Sequence, residues 1–199
     1  MNLGQGLAKI GNTHAVRLGK KIVELIIEPE KQLVSAMTGA KILVALKNEA
    51  LKGDVSAQLS LGRMYFRGDG VAQDTTEAVT WYRKAAATGY GAVQEFLGTL
   101  YDNGDGVPQN YAEAVTWYRQ AANQGYIGAQ YGLAVMYEKG NGVPPDDVAA
   151  YKWLILATSK PKTKFYAVAL HAMAILAKRM TLDDIARAGR EASVWTARS

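Results

Sequence analysis

No cysteine occurs anywhere in this chain of 199 residues. That excludes disulfides and thiolate metal sites, and it fits a reducing compartment. Histidine is almost as scarce, with only His14 and His171. They lie far apart and lack a matched Asp/Ser setting, so neither a catalytic pair nor an imidazole metal site is expected. Long hydrophobic runs are missing as well. The most apolar stretches, LVSAMTGAKILVAL from Leu33 and FYAVALHAMAILA from Phe165, fall short of the roughly 18 residues of a membrane span. The opening MNLGQGLAKIGNTHAVRLGKK has no basic start leading into an unbroken apolar segment, as a secretory signal would. A cytoplasmic protein with no membrane contact, no metal and no cofactor is the expectation.

What is present is ordinary for a chain with a full core, with 49% hydrophobic and 21% charged residues. The net charge of +5 is unevenly spread. Residues 1–53 hold eight Lys/Arg against four Asp/Glu, residues 54–157 seven against eleven, and residues 158–199 eight against three. The middle is acidic and both ends are basic. A basic balance would suggest nucleic acid, but here it does not fall on the middle.

That middle repeats itself with a period of 36. GDGVAQDTTEAVTWYRKAA from Gly68 returns as GDGVPQNYAEAVTWYRQAA from Gly104. Leu61 maps onto Leu97 and Leu133, Tyr65 onto Tyr101 and Tyr137, and Trp81 onto Trp117 and Trp153. Gly68, Gly70 and Val71 recur as Gly104, Gly106 and Val107, then as Gly140, Gly142 and Val143. Gln58, Gln94 and Gln130 keep the same phase. Within a copy, Ala57, Leu61 and Tyr65 recur every four residues, and Ala78, Trp81, Tyr82 and Ala85 form an i, i+3, i+4, i+7 stripe. Each copy therefore reads as helix A, a glycine loop and helix B. Asp74 with Glu77, and Asn110 with Glu113, predict a reciprocal cap at the start of helix B, whereas Asp146 precedes Ala149 and offers only the simple cap. Gly62 and Gly98 weaken a helix by roughly 1 kcal/mol each relative to alanine, which predicts the backbone of a partner helix packing there, with Ala134 meeting the same need for small size. The Trp and Tyr of each copy are expected to fill the space between hairpins.

These residues, A-x-x-x-L-G-x-x-Y-x-x-G-x-G-V followed by A-x-x-W-Y-x-x-A-A-x-x-G, resemble the Sel-one-like repeat, a relative of the tetratricopeptide repeat, over about residues 54–160. The resemblance implies an all-α fold, a right-handed α-solenoid of helix-turn-helix hairpins whose A helices line a concave face that grips a partner. The expected organisation is an N-terminal arm or cap over 1–40, a repeat array over 41–160 and a C-terminal helical cap over 161–199. The array divides into a half-repeat 41–53 and repeats 54–89, 90–125 and 126–160. In the half-repeat, Ala50 corresponds to Ala86 and Gly53 to Gly89. The run from Phe165 to Ala177 is apolar on nearly every side, which predicts a helix buried all round, lying between the last repeat and a final helix striped by Ile185, Ala188, Ala192 and Trp195. Thr181 with Asp184 would cap that last helix, and His171 is expected as a hydrogen-bonded residue near the C-terminal core. Near the start, KIGNTHAVRL from Lys9 resembles the opening of the swapped-hairpin DNA-binding domain of antitoxins and transition regulators, which would put Asn12 and Arg17 near DNA. Gly19 stands where that motif usually has proline, and the stretch after it reads as helical.

The glycine loops do not fit ligand cradles. A P-loop needs G-x-x-x-x-G-K-[ST] after a strand, and nothing follows Gly70 in that pattern. A calcium loop starting at Asp102 would have Gly104 and Gly106 at positions that must supply oxygen. Glycine as a left-handed helix end explains the same residues. Asp146–Asp147 and Asp183–Asp184 sit at helix starts, where carboxylates favour the positive dipole end. With no nucleophile–base arrangement, no enzyme is expected. What remains is the partner surface. By the tetratricopeptide-like resemblance, the concave positions are Leu59, Arg63, Phe66 and Arg67 in the first copy. They are Glu95, Thr99, Asp102 and Asn103 in the second, and Tyr131, Val135, Glu138 and Lys139 in the third. Phe66 and Tyr131 stand out as anchors. The expected function is a non-enzymatic scaffold that binds a protein or peptide in the groove. The alternative is a DNA-linked regulator contacting nucleic acid through its N-terminal arm.

Overall fold

The computed structural model describes residues 28–161 and 163–196, with side-chain placement over 39–161 and 163–195. Every regular element among them is an α-helix: α1 Glu28–Leu51, α2 Val55–Arg67, α3 Thr75–Ala87, α4 Gly91–Asn103, α5 Tyr111–Asn123, α6 Ile127–Lys139, α7 Asp147–Ala157, α8 Phe165–Leu176 and α9 Leu182–Thr196. Helices α2/α3, α4/α5 and α6/α7 pair most closely as hairpins, and α3 meets α4 as α5 meets α6. The chain is an all-α solenoid of helical hairpin repeats. Helix α1 runs unbroken through residue 40 and packs on α2. The KIGNTHAVRL stretch, with Asn12 and Arg17, lies outside the described residues.

Each hairpin is made by the same local devices. Helix A ends on a glycine in the left-handed region: Gly68, Gly104 and Gly140 have φ of 76°, 77° and 72°, and each donates its N–H back to the helix. Helix B is entered through Asp74, Asn110 and Asp146, whose side chains accept from the N–H of Glu77, Glu113 and Ala149 at 2.9, 3.1 and 2.9 Å. The predicted reciprocal half of the cap is not made. Glu77 and Glu113 instead accept from the indole nitrogens of Trp81 and Trp117, at 2.9 and 3.2 Å. The backbone N–H groups of Asp74 and Asn110 are already taken by the carbonyls of Tyr65 and Tyr101 at 2.9 and 2.8 Å.

The interior is a continuous band of small and large apolar side chains. Leu61, Leu97 and Leu133 are fully buried, as are Ala78, Ala114 and Ala150. Trp81 packs with Ala50, Ala57 and Leu61 against Leu43 and Leu46, joining the first hairpin to α1. The in-phase glutamines clamp successive repeats. Gln58, Gln94 and Gln130 are buried, and each donates its side-chain amide to a carbonyl near the end of the preceding helix B or its α1 counterpart, those of Ala50, Ala86 and Ala122. Each of these carbonyls also accepts the N–H of the glycine three residues on, Gly53, Gly89 or Gly125. The glutamine amide thus takes the second lone pair of a helix-end carbonyl, which gives the buried amide group its partner.

Three expectations about small residues and the C-terminus are corrected. No helix backbone packs on Gly62 or Gly98. Each lies under a tyrosine ring of its own hairpin, Tyr82 and Tyr118, whose atoms would stand 2.6 and 2.5 Å from an added Cβ. Helix α8 is not buried all round, because it and α9 both pack on α7 and not on one another. Ala169 and Leu176 are buried, whereas Val168, Leu170 and Ile175 are 43–46% exposed. His171 is exposed too, with no hydrogen bond to the core. In α9, Ala188 and Ala192 are buried and Trp195 meets Trp153 edge to face at 6.0 Å. The Thr181–Asp184 cap forms, with the Asp184 N–H donating to the threonine hydroxyl at 3.1 Å and that hydroxyl donating to the carboxylate at 2.7 Å.

Candidate functional site: two cavities on the helix A face

Successive A helices leave two cavities, one on each side of α4. The first, about 370 Å³, lies between α2 and α4 and is lined by Leu59, Arg63, Phe66 and Arg67 together with Tyr82, Tyr90, Ala92, Val93 and Phe96. Its floor is aromatic. Phe66, Tyr82 and Phe96 meet edge to face, with centroids 5.1 to 6.5 Å apart, the arrangement that the ring quadrupole favours. Phe66 is half-buried in this cluster. Burial holds the Tyr82 hydroxyl above its ordinary pKa, against the pull of Arg63 and Arg67.

The second cavity, about 500 Å³, lies between α4 and α6 and is closed by the start of α8. Glu95, Thr99 and Asp102 come from α4, and Tyr131, Val135, Glu138 and Lys139 from α6. Tyr118, Gly128, Gly132, Lys164 and Phe165 complete it. Phe165 lies against Tyr131 with centroids 5.6 Å apart, and the Lys164 ammonium sits 4.9 Å from the Phe165 ring centre. The Tyr118 hydroxyl lies 3.3 Å from both Thr99 Oγ1 and Asp102 Oδ2. Burial raises the pKa of Asp102, while the Tyr118 hydrogen bond and Lys139 oppose it. Burial also raises that of Glu95, opposed by a hydrogen bond from the Ala129 N–H and by Lys164. Glu95 thereby serves the first turn of α6, whose N-cap, Tyr126, makes no side-chain capping bond. Burial drives the Tyr118 phenol far upward, so it stays a neutral donor.

Eleven of the twelve residues singled out from the sequence line these cavities. Asn103 does not, and its amide donates to Asp105 at 2.9 Å in the loop. The residues that sequence reasoning missed have visible signals. Phe96 is a lone aromatic where the other copies have Ser60 and Gly132. Tyr82 and Tyr118 belong to the helix B stripe, yet their rings reach through to the floor. Among the described residues, no group of three or more His, Asp or Glu could hold a metal ion, and no helix is long and apolar enough to cross a membrane.

A family profile described as the Sel1 repeat matches residues 55–90, 92–126 and 127–161. A solved Sel1 repeat protein from Oxalobacter formigenes is 39% identical with a TM-score of 0.57, over 67% of this chain and 98% of that one. A protective antigen of uropathogenic Escherichia coli, displaying an SLR fold, is 37% identical with a TM-score of 0.56, over 71% of this chain and 34% of that one. The curated secretory immunoglobulin A-binding protein EsiB of Escherichia coli O6:H1 (strain CFT073) is 47% identical over 43 residues. Those 43 residues are 22% of this chain and 9% of EsiB, so the chain matches only a small part of that relative.

Proposed function

Because the chain belongs to the Sel1 repeat family, whose members are typically non-catalytic scaffolds that commonly mediate protein–protein interaction, we propose that it is an adaptor that holds a protein or peptide segment along the helix A face. The observation that carries this reading is the pair of cavities flanking α4, built from side chains of three successive repeats. A solenoid whose repeats each contact only their neighbours presents an extended surface, and this one offers aromatic side chains beside charged ones, the composition of interface anchors. EsiB is named for binding a protein, secretory immunoglobulin A. A 43-residue likeness supports protein as the class of ligand and does not extend to that particular one.

The test is site-specific photo-cross-linking in lysate, with the reactive residue placed at Phe66 or Tyr131 and, for comparison, at the exposed Thr80 and Thr116 of the B helices. The expected result is one set of captured proteins at the groove positions and none of them at the B-helix positions. Capture confined to the B helices or the basic ends would refute the groove assignment.

A further inference from the structure

The cavity between α2 and α4 carries charge that the array itself leaves unanswered. Arg63 and Arg67 stand one turn apart on α2, both exposed at the cavity rim, and neither pairs with a carboxylate among the described residues. The other two arginines of the repeats are engaged, Arg83 with Tyr101 and Glu113, and Arg119 with the Tyr137 hydroxyl. Acceptors are not scarce, since residues 54–157 hold eleven Asp/Glu against seven Lys/Arg. Arg67 lies in the last turn of α2, where the helix dipole favours a cation. Arg63 lies one turn earlier, however, and two like charges at i, i+4 mildly destabilise a helix. The pair beside an aromatic floor is therefore not accounted for by the helix alone.

We propose that this cavity receives a protein segment in which an aromatic or aliphatic side chain is flanked by Asp or Glu. The apolar group rests against Phe66 and Phe96, and the carboxylate is held by the guanidinium groups of Arg63 and Arg67. This rests on the groove reading above and gives it a ligand chemistry. A guanidinium takes a carboxylate through two parallel N–H···O bonds, and an adjoining apolar floor lowers the local dielectric and strengthens the pair. A nucleic-acid strand fits less well, because it needs open aromatic faces and positive charge continued along its path. Here the rings pack edge to face and Tyr82 is only 5% exposed. Beyond α4 the lining sets Glu95, Asp102 and Glu138 against Lys139 and Lys164, so the positive charge is not continued along the face. The step from two unanswered arginines to a lining with three carboxylates and two lysines orients the segment, with its acidic residues on the α2 side.

The test is a random-peptide display selection against the full chain, with the R63A/R67A chain as counter-selection. Enriched peptides are then remade with a fluorophore and titrated by anisotropy. Both arginine side chains are exposed and unpaired, so the variant keeps the parent's thermal midpoint. Enriched peptides are expected to carry Asp or Glu within two residues of Phe, Trp, Leu or Ile. Their affinity falls at least tenfold on Asp→Asn in the peptide or on R63A/R67A, weakens with added salt, and stays within twofold on T116A, at an exposed position of a B helix. Enrichment of peptides without acidic residues, indifference to R63A/R67A, or no enrichment at all overturns the proposal, as does an oligothymidylate probe that binds as tightly as the best peptide. Peptides that shift only the amide signals of Tyr131 and Val135 refute the acidic preference while leaving the groove reading intact. Peptides that shift only α3, α5 and α7 refute the groove reading itself.

Discussion

The tyrosine that lies over the helix A glycine can be tested by a substitution the chain has already made in its third repeat. An added Cβ at Gly62 would stand 2.6 Å from Tyr82 Cε1, and one at Gly98 would stand 2.5 Å from Tyr118 Cδ1. In the third repeat the glycine is Ala134 and the tyrosine is Leu154, both buried. If the ring dictates the glycine, G62A and Y82L must be strongly coupled. G62A gains about 1 kcal/mol of helix propensity, but forces the ring out of a well-packed place at a cost of about 1–3 kcal/mol. It also disturbs the edge contact with Phe96, centroids 5.1 Å apart, worth about 0.5–1.5 kcal/mol. The net expectation is a loss of about 1–2 kcal/mol. Y82L removes a ring that is 5% exposed and should cost about 2–3 kcal/mol. In G62A/Y82L the methyl group occupies vacated space and the propensity gain returns, so the double variant should lose only about 1–2 kcal/mol. The resulting coupling of about 2–3 kcal/mol lies at the upper end for residues in contact. Urea unfolding of the four chains, followed by circular dichroism, measures it. Additivity to within about 0.5 kcal/mol would refute the steric argument, and so would a G62A chain more stable than the parent.

Four further outcomes are expected. Gly70 and Gly142 share φ near 72°, so alanine at either meets left-handed strain of about 1–2 kcal/mol. Only at Gly142 does the added Cβ run into backbone, at Tyr111 and Ala112, so G142A should cost about 1–3 kcal/mol more. Equal thermal shifts for the two would contradict this. The folded-state pKa of Asp102 is raised by burial, so its folded form holds the proton more tightly and stability falls as pH climbs from the ordinary value through the raised one. D102N should therefore flatten the urea midpoint across that window and be at least as stable at neutral pH; a less stable D102N at pH 7 would count against the assignment. Arg179 holds Asp147 through two 2.8 Å contacts and lowers its pKa, a contribution present above the ordinary carboxylate value and lost as pH falls through the depressed one. On this exposed pair R179A should cost about 0.5–1 kcal/mol, reduced by salt and seen as faster amide exchange in α8 and α9. W117A removes a side chain that is 9% exposed and should cost about 3–5 kcal/mol in denaturant unfolding.

The hairpins, their caps and the glycine ends could be read from one chain because a 36-residue period prints each local rule three times. Gly68, Gly104 and Gly140 act on their own helix, and such effects need no neighbour to be recognised. The partner of Gly62 was misread because the ring above it comes from twenty residues further on, and an in-phase glycine shows that space is short but not what fills it. The Glu77 carboxylate was misassigned for a related reason. Its spacing from Asp74 fits a cap, but Trp81 one turn later competes for it and wins. Helix α8 reads as apolar all round, yet burial depends on how many elements reach it, and α9 chose α7 instead. For the candidate site, the helix phase brought eleven residues to two cavities, while Asn103, in phase with the longer Arg67 and Lys139, is held in the loop by Asp105. Phe165 and Lys164 belong to no repeat and join the second cavity only through the path of the chain after α7.

The close approach of Gly142 to Tyr111 and Ala112, and of Gly106 to Thr75, has a mechanical meaning for the whole array. At Gly142 the surface met is peptide backbone, which cannot swing aside as a side chain can. One hairpin therefore comes to rest against the previous one at a hard stop. A stack assembled on such stops has a set pitch, and the spacing of Arg63, Glu95 and Tyr131 across the helix A face is inherited from it. A segment arriving there meets a ruler already cut to length, and little of its binding energy goes into ordering the protein.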